Sequence, residues 1–364
     1  MKLKELIQHL ESIAPKALQE SYDNSGLLVG NPEDEVKKAL IALDATEVII
    51  DEAIKNKCDL IITHHPIIFK GIKSLTGKNY VERVLLKAIK NNIALYCAHT
   101  NLDNVSQGVN GMLCKVLGLN PIGVLIPKEE LLFKLVTFVP KDHLFKVQQA
   151  IFEAGAGHIG KYDSCSFSTE GNGTFKAGEG AKPFVGKLNQ FHTEPEYRLE
   201  TVFPSFLKSK VLTALKSSHP YEEVAFDLYA LENTHSQIGS GLLAETKKPM
   251  SEEAFLKRIK SVLGLKQVKF SPKTGKTIQK VALCGGSGAF LIEDAKRCNA
   301  DVYVTGDLKY HDYFEADGNI LLVDAGHYET EQFTCQLFFD LIREKFPKFA
   351  VQISVTGTNP INYL

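Results

Sequence analysis

The sequence predicts an α/β protein whose mostly parallel or mixed sheet core is covered by helices and interrupted by an inserted ferredoxin-like (βαββαβ) domain. Two observations predict this class. Short apolar strands alternate with helical stretches at both ends of the chain, which is typical of parallel sheets. Between these ends the order changes to strand–helix–strand–strand–helix–strand, the ferredoxin-like pattern. The 364 residues, 44% of them hydrophobic, are enough for two or three domains with real cores.

The first segment alternates regularly. Apolar spacing predicts helices over 2–13, from 47, over 81–90 and over 109–117, and strands over 27–29, 38–43, 58–63 and 93–98. Polar residues follow the strands, where sites lie in parallel sheets. These strand-end residues are Asp44, His64, His65, His99 and Asp103.

The middle segment changes pattern near residues 120–130. It predicts strands over 134–139, 165–168, 198–202 and 223–231, and helices over 141–154 and 204–217. A Gly-rich polar stretch over 171–189 predicts a mobile loop, with a ligand-binding loop as the alternative.

Alternation resumes in the last segment. It predicts helices over 252–263 and from 327 to 344, and strands over 281–284, 302–305, 320–324 and 350–355. Gly285-Gly286-Ser287-Gly288 lies between a strand and a helix. It lacks the full phosphate-binding fingerprint, so a plain tight turn is favoured over a phosphate cradle.

Composition narrows the class of protein. A formal net charge of −1 provides no overall attraction for nucleic acid, which is therefore disfavoured as a partner. Seven cysteines without a CxxC pair indicate a reducing compartment. No stretch is typical of a signal peptide or of a membrane span. We therefore expect a cytoplasmic protein without membrane contact.

The pair His64-His65 is the most informative stretch. Neighbouring strand residues point to opposite faces, so two imidazoles converge only where the backbone turns, and Pro66 favours that turn. By itself the pair is better explained by structural histidines. His327 and Glu331, four apart at a predicted helix start, share one face and have the spacing of helical metal motifs. A surface His–Glu pair is the common alternative.

Together these residues predict a metal centre. Three imidazoles and two carboxylates suit zinc first, or iron or manganese, and do not suit calcium. Five ligands exceed what one catalytic zinc takes, so we expect two divalent ions bridged by Glu331 or Asp103. In that case 1–125 and 250–364 form one domain, and 126–249 is an insertion. The predicted ligands are His64, His65, Asp103, His327 and Glu331.

Four further residues have open interpretations. Asp307 and His311, four apart after a strand, could form a proton-transfer pair, or only a helix-start carboxylate near a histidine. His99 is expected to be structural or to support a ligand. Asp44 could orient a ligand histidine or cap the next helix.

Several motifs carry a resemblance to a known family. They are Tyr22-Asp-Asn-Ser-Gly-Leu-Leu-Val-Gly30, Thr63-His-His-Pro66, His99-Thr-Asn-Leu-Asp103, Thr305-Gly-Asp307 with His311, and Asp324-Ala-Gly-His-Tyr-Glu-Thr-Glu331. In this order they resemble the GTP cyclohydrolase 1 type 2 homologue family, also called the Nif-three-like proteins. The resemblance implies a dimetal centre on the five predicted ligands and a toroidal homohexamer. The middle segment, with His219-Pro-Tyr-Glu-Glu223, resembles the PII/CutA-like insert of some members.

The predicted function is a dinuclear-metal hydrolase acting on a nucleotide-like or other phosphorylated small molecule. The family name implies attack on the guanine ring of GTP with release of formate, and phosphoester cleavage suits a two-metal site equally. The alternative is a metal-binding regulatory or scaffold ring protein without catalytic turnover.

Overall fold

All 364 residues are described by the structure, which is a computed structural model. The strands are β1 Gly26–Val29, β2 Lys38–Ala42, β3 Leu60–Thr63, β4 Ala94–Cys97, β5 Asn120–Pro127, β6 Leu132–Pro140, β7 Ser166–Lys176, β8 Phe191–Pro204, β9 Phe226–Leu231, β10 Gly239–Ser251, β11 Lys269–Phe270, β12 Thr277–Ser287, β13 Val302–Gly306, β14 Leu321–Asp324 and β15 Ala350–Ile353. The helices are α1 Leu3–Ile13, α2 Glu47–Lys55, α3 Tyr80–Lys90, α4 Thr100–Asp103, α5 Val109–Val116, α6 Leu144–Glu153, α7 Lys208–Ser218, α8 Glu252–Val262, α9 Ile292–Arg297, α10 His327–Glu331 and α11 Thr334–Lys345. No helix is long and apolar enough to cross a membrane.

The chain forms two compact units. The first contains Met1–Pro127 and Gln237–Leu364, and the second contains Lys128–Ser236. Strand β10 spans the predicted boundary at 249/250. It pairs with β5 and β12 in one sheet of the first unit, so the chain returns to that unit earlier than the sequence predicts.

The first unit has two mixed sheets, which confirms the predicted α/β class. One sheet has the order β1-β4-β3-β2-β15, with β1 antiparallel and the other strands parallel. The central strands β3 and β4 are buried along their whole length, as their continuous apolar runs predict. Helices α2 and α3 cover it, and their residues Ile49, Ile50, Val84 and Leu85 pack in its core.

The second sheet of this unit has the order β11-β14-β13-β12-β10-β5. Strands β12, β13 and β14 are parallel to one another, whereas β11 pairs antiparallel with β14, β10 with β12, and β5 with β10. Alternate residues of β13 pack on opposite faces, Val302 and Val304 in one cluster and Tyr303 in the other. Both faces are therefore buried, and the carboxyl ends of the parallel strands are free to present side chains.

The second unit has the predicted element order, with an antiparallel sheet in the order β7-β8-β6-β9. Helices α6 and α7 cover one face through a core that includes Leu135, Leu199, Ile151 and Leu215. The prediction of a loop over 171–189 was wrong for its first part, because 171–176 continue β7 and pair with β8. Glycine weakens a strand but does not prevent pairing with a long neighbour.

Candidate metal centre

Five side chains from the carboxyl ends of parallel strands meet in the first unit. His64 and His65 follow β3, and Asp103 lies on the one-turn helix α4 after β4. His327 and Glu331 form the ends of α10, which follows β14. The structure thus brings together all five residues that the sequence predicts as ligands, from two different sheets.

The carboxylate of Glu331 lies between two groups of donors. Its Oε2 is 3.0 Å from His65 Nε2 and 3.1 Å from His327 Nε2, and those two nitrogens are 3.3 Å apart. Its Oε1 is 3.7 Å from His64 Nε2. The same nitrogen of His64 is 3.5 Å from Asp103 Oδ1. Two sets of three donors therefore share Glu331, and each set could hold a metal ion.

The protonated nitrogen of each predicted ligand histidine is fixed by an acceptor. Nδ1 of His64 donates to the Ala98 carbonyl at 2.8 Å, and Nδ1 of His65 donates to Asp44 at 2.7 Å. Nδ1 of His327 donates to Asp307 at 2.7 Å. Because carbonyl and carboxylate oxygens only accept, a neutral ring in each case presents its Nε2 lone pair to the centre. This is the arrangement that orients metal-bound histidines.

Several buried acceptors at the centre have no hydrogen-bond partner. They are His64 Nε2, Asp103 Oδ1 and Glu331 Oε2. Buried polar atoms are almost always satisfied, and lone pairs in contact repel one another. A cation among these atoms would satisfy all of them, so the donor set fits a metal.

The carboxylates at the centre also shift the pKa values of His65, His327 and Asp103. Burial disfavours a charged imidazole, but the carboxylates Asp44 and Glu331 outweigh it and raise the pKa of His65 to about 10. Likewise, burial is outweighed by Glu331 and Asp307, which raise the pKa of His327 to about 9. Burial and the charge of Glu331 raise the pKa of Asp103. The negative charge of these carboxylates therefore favours a cation at the centre.

His99 joins the centre as a fourth imidazole. Its ring centroid is 5.2 Å from that of His64 and 5.4 Å from that of His65. Its Nδ1 donates to Asp23 at 2.8 Å, and Asp23 also accepts from the Thr100 amide and hydroxyl. The turn at 22–26 therefore serves to hold His99, a role that the sequence did not predict for Asp23.

Asp44 orients His65 and does not cap α2. Thr46 is the N-cap of that helix, and its hydroxyl accepts from the Ile49 amide. The second carboxylate oxygen of Asp44 accepts from the Thr358 hydroxyl at 2.6 Å. Of the two open interpretations, the structure selects the one in which Asp44 orients His65, a predicted ligand.

Asp307 and His311, left open by the sequence as a proton-transfer pair, have different partners in the structure. Residues 307–311 are not helical, so the spacing of four does not place them on one face. Asp307 has a left-handed backbone, φ 58°, and its carboxylate turns to His327. His311 is exposed and contacts the rings of Tyr310 and Phe314.

The Gly-Gly-Ser-Gly stretch is not the predicted tight turn, because β12 continues to Ser287. Gly286 has φ 62° and lies against Glu331, so a Cβ there would collide with the Glu331 carboxylate. Its amide donates to the Thr330 hydroxyl at 3.0 Å. The glycines therefore make room for the shared carboxylate, which the sequence did not predict.

A cavity of about 590 Å³ opens on the centre. Asp103, His65, His327 and Glu331 line it together with His99. Three aromatic side chains also line it, and all three are at least half exposed: Tyr22, Phe69 and Phe290. A planar small molecule could lie against these rings within reach of the histidines and carboxylates.

Comparison with known proteins decides the family. A family model described as Duf34/NIF3 (NGG1p interacting factor 3) matches residues 1–360. The chain belongs to this family. Proteins described as GTP cyclohydrolase 1 type 2 homolog are similar throughout. The one from Bacillus subtilis (strain 168) is 40% identical over 99% of this chain and 98% of its own length. The one from Halalkalibacterium halodurans is 42% identical over 88% of this chain and 87% of its own.

Solved structures of similar chains agree with the fold. The crystal structure of a Bacillus cereus protein related to NIF3 superposes with a TM-score of 0.87 at 36% identity, covering 100% of this chain and 99% of that one. A Staphylococcus aureus protein superposes with a TM-score of 0.78 at 32% identity, with the same coverage. The predicted family is therefore confirmed. The likeness of the second unit to PII and CutA domains stays a prediction.

Proposed function

We propose that the protein is a dinuclear-metal-dependent hydrolase acting on GTP or another nucleotide-like, phosphorylated small molecule. One observation carries the proposal. Two sets of three donors share Glu331 at the floor of a cavity of about 590 Å³. The relatives named GTP cyclohydrolase 1 type 2 homolog support a nucleotide as substrate.

Each ion would have its own donor set. His65, His327 and Glu331 would hold one, and His64 and Asp103 would hold the other together with Glu331. Imidazole nitrogens and carboxylate oxygens suit zinc first, with iron and manganese as the alternatives. Two such ions supply Lewis acidity and lower the pKa of water at the site.

The chain's own residues would bind and orient the substrate. Tyr22, Phe69 and Phe290 offer ring faces on which a base can stack. His99 donates from Nδ1 to Asp23, so its Nε2 is free to accept a hydrogen bond or a proton from a molecule in the cavity. Asp44 and Asp307 would act as positioning residues, since each holds a histidine and not the substrate.

The test is turnover by metal-loaded protein of GTP and of a panel of phosphoesters, with formate and phosphate measured as products. His65→Ala and Glu331→Ala should lose turnover. The control variant Glu344→Ala, at an exposed position of α11, should retain it. Equal turnover in all three variants and the parent protein would contradict the hydrolase proposal. The formate and phosphate yields distinguish ring opening from phosphoester cleavage.

A metal-binding regulatory or scaffold protein is the second candidate. It is supported by the separate compact unit Lys128–Ser236, which has a cavity of its own. Tight metal binding with no turnover of any tested substrate would favour it. We also propose that the protein forms a homohexamer, as the family resemblance implies. Light scattering on the purified protein would test this by measuring the mass of the assembly.

A further inference from the structure

The second unit contains a cavity of about 730 Å³ that lies wholly within Lys128–Ser236. Its volume is in the range of cavities that bind small molecules. Helices α6 and α7 pack on one face of the sheet, where Thr137 and Val139 point. Phe138 lies between those two residues and so points to the opposite face, where the cavity is found.

Aromatic rings form much of the cavity wall. Phe175 and Phe184 approach Tyr221, with ring centroids 6.5 Å and 6.2 Å apart. Phe138 lies under the Arg198 guanidinium, whose central carbon is 5.9 Å from the ring centroid. The wall is therefore mostly apolar and offers several ring faces. Such surroundings favour an apolar or a cationic guest, because ring faces carry partial negative charge.

The charged groups of the wall favour a cation. Four carboxylates line the cavity, from Glu170, Glu196, Glu222 and Glu223, against two basic side chains. Arg198 is already bound to Glu200 at 2.8 Å, and Glu170 is already bound to Lys141 at 3.2 Å, which leaves three carboxylates against Lys176. A phosphate or carboxylate guest would therefore meet excess negative charge.

Glu196 is the carboxylate best placed to bind such a guest. It is 9% exposed, and its Oε1 accepts from the Tyr221 hydroxyl at 2.7 Å. Its Oε2 lies against Gly173, where any side chain would collide with it. With one oxygen engaged by Tyr221, the carboxylate can contact a donor or a cation in the cavity through the other.

The loop around Tyr221 is held in place independently of any guest. His219 Nε2 donates to the Phe138 carbonyl at 2.9 Å, and its Nδ1 accepts from the Tyr221 amide at 3.1 Å. The Lys182 amide donates to Glu222 at 2.7 Å and so joins the Phe184 loop to the Tyr221 loop. The aromatic walls and Glu196 are therefore preorganised, which lowers the entropic cost of binding.

We propose that this cavity binds a small organic cation, an ammonium or guanidinium group on an apolar body. The cationic group contacts the free oxygen of Glu196, and the apolar body lies among Phe138, Phe175 and Phe184. The site shares no residue with the candidate metal centre, because all of its lining residues belong to the second unit.

The probe is benzyltrimethylammonium, titrated calorimetrically into the full-length metal-loaded protein, with benzyl alcohol and benzoate as neutral and anionic analogues. We expect saturable binding of the cation alone. Removal of the charge in Glu196→Gln should weaken it about tenfold to hundredfold. The matched control is Glu153→Gln, an exposed carboxylate of α6 outside the cavity, which should bind as the parent does.

A second variant guards against a folding defect, which circular dichroism would reveal. Phe184→Ala removes a half-exposed ring and should weaken binding about threefold to tenfold. Glu331→Gln should leave cation binding unchanged, which separates this site from the metal centre. Absence of saturable binding, equal binding of benzoate, or unchanged affinity in folded Glu196→Gln and Phe184→Ala would each overturn the proposal.

Discussion

Two carboxylate–imidazole pairs at the candidate metal centre make the same bond in different surroundings. Asp44 accepts from His65 and Asp307 accepts from His327, both at 2.7 Å. The Asp44 side chain is 33% exposed and its other oxygen is bound by Thr358. The Asp307 side chain is 47% exposed on a left-handed residue. The two hydrogen bonds therefore have the same length, but Asp44 should orient His65 more firmly than Asp307 orients His327.

The charge of each carboxylate is affected by these surroundings. Burial raises the pKa of Asp44, but hydrogen bonds from His65 and Thr358 outweigh it and lower the pKa overall. Asp44 therefore stays ionised. It links Thr358 and His65 in one chain of hydrogen bonds. Water can compete for the more exposed Asp307. The first pair should contribute more to metal binding than the second.

Glu331→Gln should have the largest effect, because it removes charge from the one residue that both donor sets share. We expect metal affinity to fall by more than the roughly 10–100-fold loss that follows removal of an orienting partner. Metal content after dialysis, measured by mass spectrometry, checks this. Glu344→Gln on α11 is the control and should keep its metal. Full metal content in Glu331→Gln would show that the two donor sets bind metal without the charge of the shared Glu331 carboxylate.

Asp44→Asn should come next. The amide can still accept from His65, but it lacks the charge that stabilises the donor, so we expect about 10–100-fold weaker metal binding. A competition titration with a chromophoric chelator measures it. Asp51→Asn on the exposed side of α2 is the matched control. An effect smaller than that of Asp307→Asn would reverse the proposed ranking.

Much of this centre could be predicted from the sequence because its signals are local. His64 and His65 end an apolar run, and His327 and Glu331 have a helical spacing that α10 does adopt. The same spacing rule failed for Asp307 and His311 because the chain does not form a helix there. Periodicity is informative only where the secondary structure that it assumes is formed.

The remaining parts of the centre depend on long-range contacts. Thr358 lies 314 residues from Asp44, and nothing near either residue indicates their bond. Gly286 is adapted to Glu331, a neighbour that only the folded sheet brings close. In the second unit, the glycines at 171 and 173 suggested a loop, although pairing with β8 keeps them extended. Tertiary pairing overrides local propensity in such cases.

Asp307→Asn should weaken metal binding by about tenfold or less, at the lower end of the range for orienting partners. Its side chain is exposed, so water can take its place at His327 Nδ1. The same chelator competition measures this, with the exposed Asp317→Asn as control. A loss as large as that of Asp44→Asn would show that exposure does not weaken the orienting role.

Thr358→Val should have the smallest effect, because it removes one hydrogen bond that acts through Asp44. A net contribution of about 0.5–1.5 kcal/mol for such a bond corresponds to roughly twofold to tenfold weaker metal binding. A double-mutant cycle supplies the control. In the Asp44→Asn background the threonine loses its charged acceptor, so Thr358→Val should then change affinity much less. Additive effects would mean that Thr358 acts by another route, and the Asp44 pair would then be no more firmly held than its Asp307 counterpart.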